Sequence, residues 1–209
     1  MEILYSDKQI AVIVKPVGLI SEDGEAGESV CPAIRELLGV TEVYPVHRLD
    51  RTVGGVMVYA LTKKAAASLS KAVAENMLEK VYLAVVHGAP AEKAGVFTDL
   101  LYKDARKNKS YVVTRERKGV KRASLGYETL DSRGDLSLVR VTLHTGRSHQ
   151  IRVQFASRKM PLVGDGKYGA VDHIREIALF SHVITFPHPS GETMRFSALP
   201  SGGVWDQFA

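Results

Sequence analysis

The sequence predicts an α+β fold, and three observations carry the prediction. Short apolar runs bounded by turn residues outnumber segments of helical periodicity, and the regular strand–helix alternation of a parallel sheet is missing. No internal repeat, low-complexity tract or long linker divides the 209 residues. With 45% hydrophobic residues the chain can bury a large core, so one domain spanning residues 1–209, or a closely packed pair of lobes, is expected.

The elements follow in order. Residues 10–14 are an apolar run stopped by Lys15-Pro16-Val17-Gly18, a strand entering a turn. Residues 55–60 form a second strand. After Thr62, a suitable N-cap, Ala66, Leu69, Val73 and Met77 recur at spacings of three and four, which predicts a helix ending near Glu79. Residues 80–86 have the β-branched and aromatic content of a strand. Residues 123–129 and 136–143 read as a hairpin across the turn Asp131-Ser132-Arg133-Gly134-Asp135. Ser148 is expected to cap a short helix with Ile151 and Phe155 on one face and Arg152 on another. Residues 183–186 and 193–197 complete a second hairpin around the turn at 187–191.

Composition narrows the function classes. The single cysteine, Cys31, excludes an internal disulfide framework and a cysteine-rich zinc site. The N-terminus lacks a basic region followed by an apolar stretch, and no run of about 18 apolar residues occurs. A soluble, unprocessed, cytoplasmic protein is therefore expected. The net charge is +5, but residues 103–122 hold nine basic side chains against two acidic ones, and the remainder of the chain is slightly acidic. Such a local excess suits a polyphosphate partner, nucleic acid above all, because neutralising phosphates releases condensed counterions; a solvated, mobile basic loop is the alternative.

The segment His47-Arg48-Leu49-Asp50, followed by Arg51-Thr52-Val53-Gly54-Gly55, places a carboxylate on a glycine-punctuated loop ahead of an apolar strand. Alone, Asp50 could be an ordinary turn residue. Further along, Thr145-Gly146-Arg147-Ser148-His149-Gln150-Ile151-Arg152 combines a tight turn, a helix start and two arginines, which together offer positive charge to an anion.

Together these segments resemble the RluA-type pseudouridine synthases. His47 to Asp50 with the strand behind it is similar to that family's signature motif, and Leu143 to Val153 to a second one. Lys15-Pro16-Val17-Gly18 resembles its opening turn, and Lys80-Val81-Tyr82-Leu83-Ala84 its Lys-x-Tyr-x-Ala strand. Residues 161–165 with Tyr168-Gly169, and the closing stretch 187–200, match further motifs in the same order. The resemblance implies a pseudouridine synthase fold, a mixed and mostly antiparallel central sheet flanked by helices with a catalytic cleft. It implies the catalytic domain alone, without the additional N-terminal RNA-binding domain of many relatives.

The implied activity is isomerisation of uridine to pseudouridine in ribosomal or transfer RNA, without cofactor or metal and with no membrane partner; a monomer is expected. By resemblance Asp50 is the nucleophile, Arg152 pairs with the catalytic carboxylate, and the Tyr82 ring stacks on the extruded uracil. Arg48 braces the vacated base stack of a flipped nucleotide. Lys15, Arg147, His149 and the basic segment, with Lys107 and Lys109 in it, are expected to contact RNA, and His47 to support the loop beside it. Two departures stand out: Val53-Gly54 replaces a Thr-Ser pair common in the family, and Gln154 replaces a common histidine.

Two other signals compete weakly. Gly164 to Gly169 fits a Gly-x-Gly-x-x-Gly dinucleotide pattern, yet lacks the long helix and βαβ setting that pattern needs. The histidines at 144, 149, 182 and 188 have no recognised metal-ligand spacing. The rival of substance is a non-catalytic RNA-binding protein on the same fold, against which Asp50, Tyr82 and Arg152 are all retained.

Overall fold

The computed structural model describes residues 1–25 and 27–209. In chain order its first elements are β1 (Glu2–Ser6), β2 (Ile10–Lys15), α1 (Val30–Leu38), β3 (Tyr44–Pro45), β4 (Gly54–Ala60) and α2 (Lys63–Ala74). Then come β5 (Glu79–His87), β6 (Ala94–Asp104), β7 (Lys109–Val113), β8 (Val120–Arg133), β9 (Leu136–Leu143) and α3 (Gln150–Ala156). β10 (Leu179–Pro187) and β11 (Thr193–Ser197) close the set, with short 3₁₀ turns at Gly166–Tyr168 and Gly203–Phe208. The content is α+β with mixed, mostly antiparallel strands, as the sequence predicts. No helix among the described residues is long and apolar enough to cross a membrane.

Contacts group the chain into two compact units. The first comprises Met1–Lys80 and Phe180–Pro200. Its strands pair β1–β2, β2–β4, β3–β4 and β10–β11 antiparallel, while β4 and β10 run parallel. β4 is buried along its whole length, so it reads as a continuous apolar run. Ile10 and Val12 of β2, Val56 and Val58 of β4, and Ile184 and Phe186 of β10 pack with Ala65 and Leu69 of α2.

Helix α2 starts where expected, with the Thr62 hydroxyl accepting the Ala65 N–H at 3.1 Å. It ends five residues before the expected Glu79. Asn76 takes a left-handed φ of 56°, and the Asn76 and Met77 amides fold back onto the Val73 and Ala72 carbonyls. This double closure satisfies the last carbonyls and terminates the helix. Met77, expected on the apolar face, is consequently exposed. Sequence reasoning misses α1 altogether, although Ser29 caps it through the Cys31 amide and Gly39 closes it at φ 64°.

The second unit comprises Val81–Leu179 and Ser201–Ala209. Its strands run in the order β5–β9–β8–β6–β7, every neighbour antiparallel. The predicted hairpin is present, but Arg133 pairs with Leu136, which reduces the turn to Gly134-Asp135. Asp131 to Arg133 are strand residues beyond a bulge, where extra twist is absorbed. The basic stretch 103–122 is not a loop: it holds the end of β6, all of β7 and the start of β8. α3 covers one face of this sheet, with Phe155 against Phe97 and Tyr127, and Val153 against Leu101 and Ala123.

Candidate active site

In the first unit the loop bearing Asp50 is fixed on both sides by hydrogen bonds to the backbone. The Ser21 hydroxyl accepts the Leu49 N–H at 2.9 Å and donates to the Leu49 carbonyl at 2.8 Å. The Ser21 carbonyl in turn accepts the Tyr59 hydroxyl at 3.0 Å. After Asp50, the Arg51 carbonyl accepts the Gly18 N–H at 2.8 Å, and the Arg51 Nε donates back to the Gly18 carbonyl at 2.7 Å. The Val53 N–H closes a turn on the Asp50 carbonyl at 2.9 Å. Leu49 is buried, Arg48 exposed and Asp50 half-buried, so the pinned backbone presents both polar side chains outward from an apolar anchor.

His47 is buried, and its Nε2 accepts the Val58 N–H at 3.2 Å. Burial, reinforced by the Lys80 charge, pushes its pKa down to about 3, so the ring is neutral and braces the loop against β4. Arg48 pairs with Glu22 at the surface.

Lys15, expected on the RNA backbone, is fully enclosed, which leaves its ammonium no surface from which to reach a phosphate. It donates instead to the carbonyls of Pro16 at 2.9 Å and Leu19 at 2.7 Å, holding the turn that Gly18 shares with Arg51. Burial lowers its pKa to about 8, with the Asp50 charge acting in the opposite direction. The glycines after the motif have a steric cause. Gly55 lies at φ 121°, and a Cβ there would stand 2.3 Å from the Ser181 carbonyl oxygen of β10. At Gly54 a Cβ would meet the Lys15 carbonyl oxygen at 3.2 Å, so the backbone is close-packed there.

In the second unit Arg152 lies on α3, a helix buried on nearly every side rather than a surface helix. Ser148 does not cap it. His149 occupies the cap position at φ 53°, and the Gln150 side chain does the local work, accepting the Arg147 N–H at 2.9 Å and the Thr145 hydroxyl at 2.8 Å. The Arg152 guanidinium grips Asp165 through Nε at 2.7 Å and Nη2 at 2.8 Å, both side chains almost entirely buried. A two-bond fork of this kind fixes the plane as well as the position of the guanidinium.

The Tyr168 ring lies 5.2 Å from that guanidinium. Its hydroxyl accepts the Ser110 N–H at 2.8 Å and lies 2.9 Å from His149 Nδ1. His149 is thereby buried in the scaffold rather than offered to solvent. Tyr82 is buried on β5, opposite Val141.

Arg147 is exposed, with its Nε on the Arg122 carbonyl at 3.1 Å. Lys107 is exposed at the β6–β7 turn, while Lys109 is half-buried with its ammonium on the Lys167 carbonyl at 2.6 Å. Asp165 and Tyr168 are the residues whose roles sequence reasoning misses. The Gly164-Asp165-Gly166 stretch that mimics a dinucleotide turn enters a three-residue 3₁₀ turn, and its acidic side chain is the partner of Arg152. Among the described residues no group of three or more His, Cys, Asp or Glu side chains could hold a metal ion.

Residues 9–157 match the family described as RNA pseudouridylate synthase. The chain is 36% identical over 205 residues to the dual-specificity RNA pseudouridine synthase RluA of Yersinia pestis, covering 94% of this chain and 97% of the relative. It is 32% identical over 206 residues to an uncharacterized RNA pseudouridine synthase of Synechocystis, of whose length it spans 63%. Among solved structures, human RNA pseudouridylate synthase domain containing 4 aligns at TM-score 0.79 and 24% identity, covering 95% of this chain and 88% of the other. Human RNA pseudouridylate synthase domain containing 1 aligns at TM-score 0.80 and 22% identity, covering 95% and 83%. These two likenesses establish the fold. Sequence identity spread over nearly the whole of both chains, as with the Yersinia relative, goes further: this protein belongs to the RNA pseudouridylate synthase family, among its RluA-type members.

Proposed function

We propose that the protein isomerises specific uridines in structured RNA to pseudouridine, acting as one catalytic domain over residues 1–209 with Asp50 as its nucleophile. The observation that carries the reading is the Asp50 loop itself. A half-buried carboxylate follows an apolar anchor pinned through Ser21, and its other flank is tied to the turn that the enclosed Lys15 holds. Such pinning gives a nucleophile a fixed line of attack, which is where much of the benefit of intramolecular catalysis lies.

The reaction breaks the bond between the ribose anomeric carbon and uracil N1, turns the base, joins the same carbon to uracil C5, releases the C5 proton and leaves N1 with a proton taken up in its place. Atoms balance without an oxidant, reductant or cofactor. Asp50 attacks either the anomeric carbon or the base, and both routes use the same carboxylate. By family resemblance Arg152 is a further residue of the reaction, Tyr82 stacks on the extruded uracil, and Arg48 fills the vacated stack. Arg147, Lys107 and the exposed cations of the 103–122 stretch supply sequence-independent attraction to phosphates.

The RNA is ribosomal or transfer RNA, and the dual-specificity name of the Yersinia relative suits a substrate set with more than one member. The soluble chemistry fits the cytoplasm. A non-catalytic RNA-binding role on the same fold would make Asp50 dispensable.

The test is to map pseudouridines in RNA from cells lacking the protein, then after restoring either the wild type or Asp50→Asn. The reading expects discrete sites that vanish with the gene and return only with the wild type. Sites restored equally by Asp50→Asn would overturn the assignment of the nucleophile, and an unchanged map would overturn the activity.

A further inference from the structure

We propose that the outer face of the β7–β6–β8 layer is a stacking platform for unpaired nucleotides of the RNA, with Tyr111 as its base-stacking residue. The proposal rests on the reading above that the partner is RNA, and adds the conformation of RNA this surface selects.

Register sets the platform. Tyr102 lies directly opposite Tyr111 on β7 and Val120 on β8, and the next row aligns Leu100, Val113 and Arg122. Residues directly opposite in an antiparallel ladder share a face. The alternate residues Leu101 and Ala123 are buried with Val153 of α3, so the helix occupies the other side and both tyrosines point away from it. Tyr111 is 36% exposed although its ring would gain from burial.

The charge around these rings is mostly positive, although Asp104, opposite Lys109 in the neighbouring row, lies on the same face. The Lys109 ammonium stands 5.8 Å from the Tyr111 ring centroid, the Arg117 guanidinium 4.8 Å from that of Tyr102, and Arg122 is exposed in the adjacent row. An exposed Tyr111 ring beside the half-buried Tyr102, with cations around both, complements a strand that offers a bare base face and a phosphate at every step. A duplex offers phosphates but keeps its base faces stacked inside, so it could use the cations and not the rings. An acidic peptide would likewise leave the tyrosines unused.

The experiment titrates the intact protein against a fluorescent oligoribonucleotide of about eight adenosines, read by anisotropy at several salt concentrations. The probe has no uridine, so binding is measured apart from turnover. Tyr111→Ala should weaken binding about tenfold with an unchanged salt slope, and Tyr111→Phe should stay within about twofold of wild type, because stacking uses the ring and not the hydroxyl. Arg122→Ala should flatten the log–log salt slope by about one. The thermal midpoint of Tyr111→Ala should match that of the wild type, because the ring is at the surface.

Tyr111→Ala binding as tightly as wild type, or Tyr111→Phe binding as weakly as Tyr111→Ala, would overturn the platform. So would displacement of the adenosine strand by an RNA duplex or by polyglutamate as readily as by unlabelled strand. If wild type binds the probe in a Tyr111-dependent manner yet releases no C5 proton from any cellular RNA, the activity reading fails and the platform stands.

Discussion

In the first unit the loop bearing Asp50 is held by bonds to backbone groups from backbone amides, one serine hydroxyl and the Arg51 guanidinium, whereas in the second Arg152 is held by a buried carboxylate fork from Asp165. The two arrangements answer different demands. Bonds to backbone carbonyls and amides hold the chain on either side of Asp50, which is left half-buried. A guanidinium taken wholly out of water must meet an anion with good geometry, because desolvation otherwise exceeds the attraction. Fixing a carboxyl group through its chain neighbours and a guanidinium through its own charge should leave distinct signatures in stability.

The largest effect should fall on the fork. Arg152→Met strands the Asp165 carboxylate in the interior and should lower the unfolding free energy by about 3–5 kcal/mol in urea melts. Adding Asp165→Leu should restore most of it, since two apolar groups need no pairing, while catalysis stays lost. A single variant as stable as wild type would erase the contrast between the units.

Next comes the backbone crossing behind Asp50. Gly55→Ala sets a Cβ 2.3 Å from the Ser181 carbonyl oxygen at φ 121°, and should cost about 2–4 kcal/mol by thermal melt. Gly54→Ser, whose nearest contact is the Lys15 carbonyl oxygen at 3.2 Å, should cost less.

The enclosed ammonium gives a pH signature confined to the first unit. With Lys15 lowered from 10.5 to about 8, the unfolded chain holds a proton the folded chain has released between those values. Stability attributable to this group therefore rises with pH across that window, by up to about 3 kcal/mol, and the penalty is fully present below it. Lys15→Met should lack the rise. Asp50→Asn, which removes the opposing attraction, should extend the window to lower pH, as read from melts between pH 6 and 11. The smallest effect is Ser21→Ala, about 1–2 kcal/mol for the two bonds to Leu49, with turnover falling as the Asp50 loop loosens.

Much of this is legible in the amino-acid order, for identifiable reasons. The strands around residues 10–14, 55–60 and 136–143 show because their apolar runs end in turn residues, and Thr62 shows as a cap because its hydroxyl is followed by helical spacing. Strands β6 and β7 do not show, since the cations on and around their open face mask Leu100, Leu101, Val112 and Val113. The end of α2 is hidden because Asn76 rather than glycine takes the left-handed turn. The motif at Asp50 is legible as a candidate for chemistry. What is not legible is support from afar: Asp165 meets Arg152 across 13 positions with no periodicity to announce it, and Lys15 cannot be told from a surface lysine until its two carbonyl partners are seen.

The central claim is that the pinned Asp50 carboxylate performs the isomerisation, and the most direct measurement is release of tritium from RNA labelled at uridine C5. The RNA comes from cells lacking the protein and is incubated with excess enzyme in a single turnover. Wild type should release label stoichiometric with the sites it modifies, and Asp50→Asn should slow release by at least about 10³-fold while binding the same RNA. Release by Asp50→Asn at the wild-type rate would contradict the account.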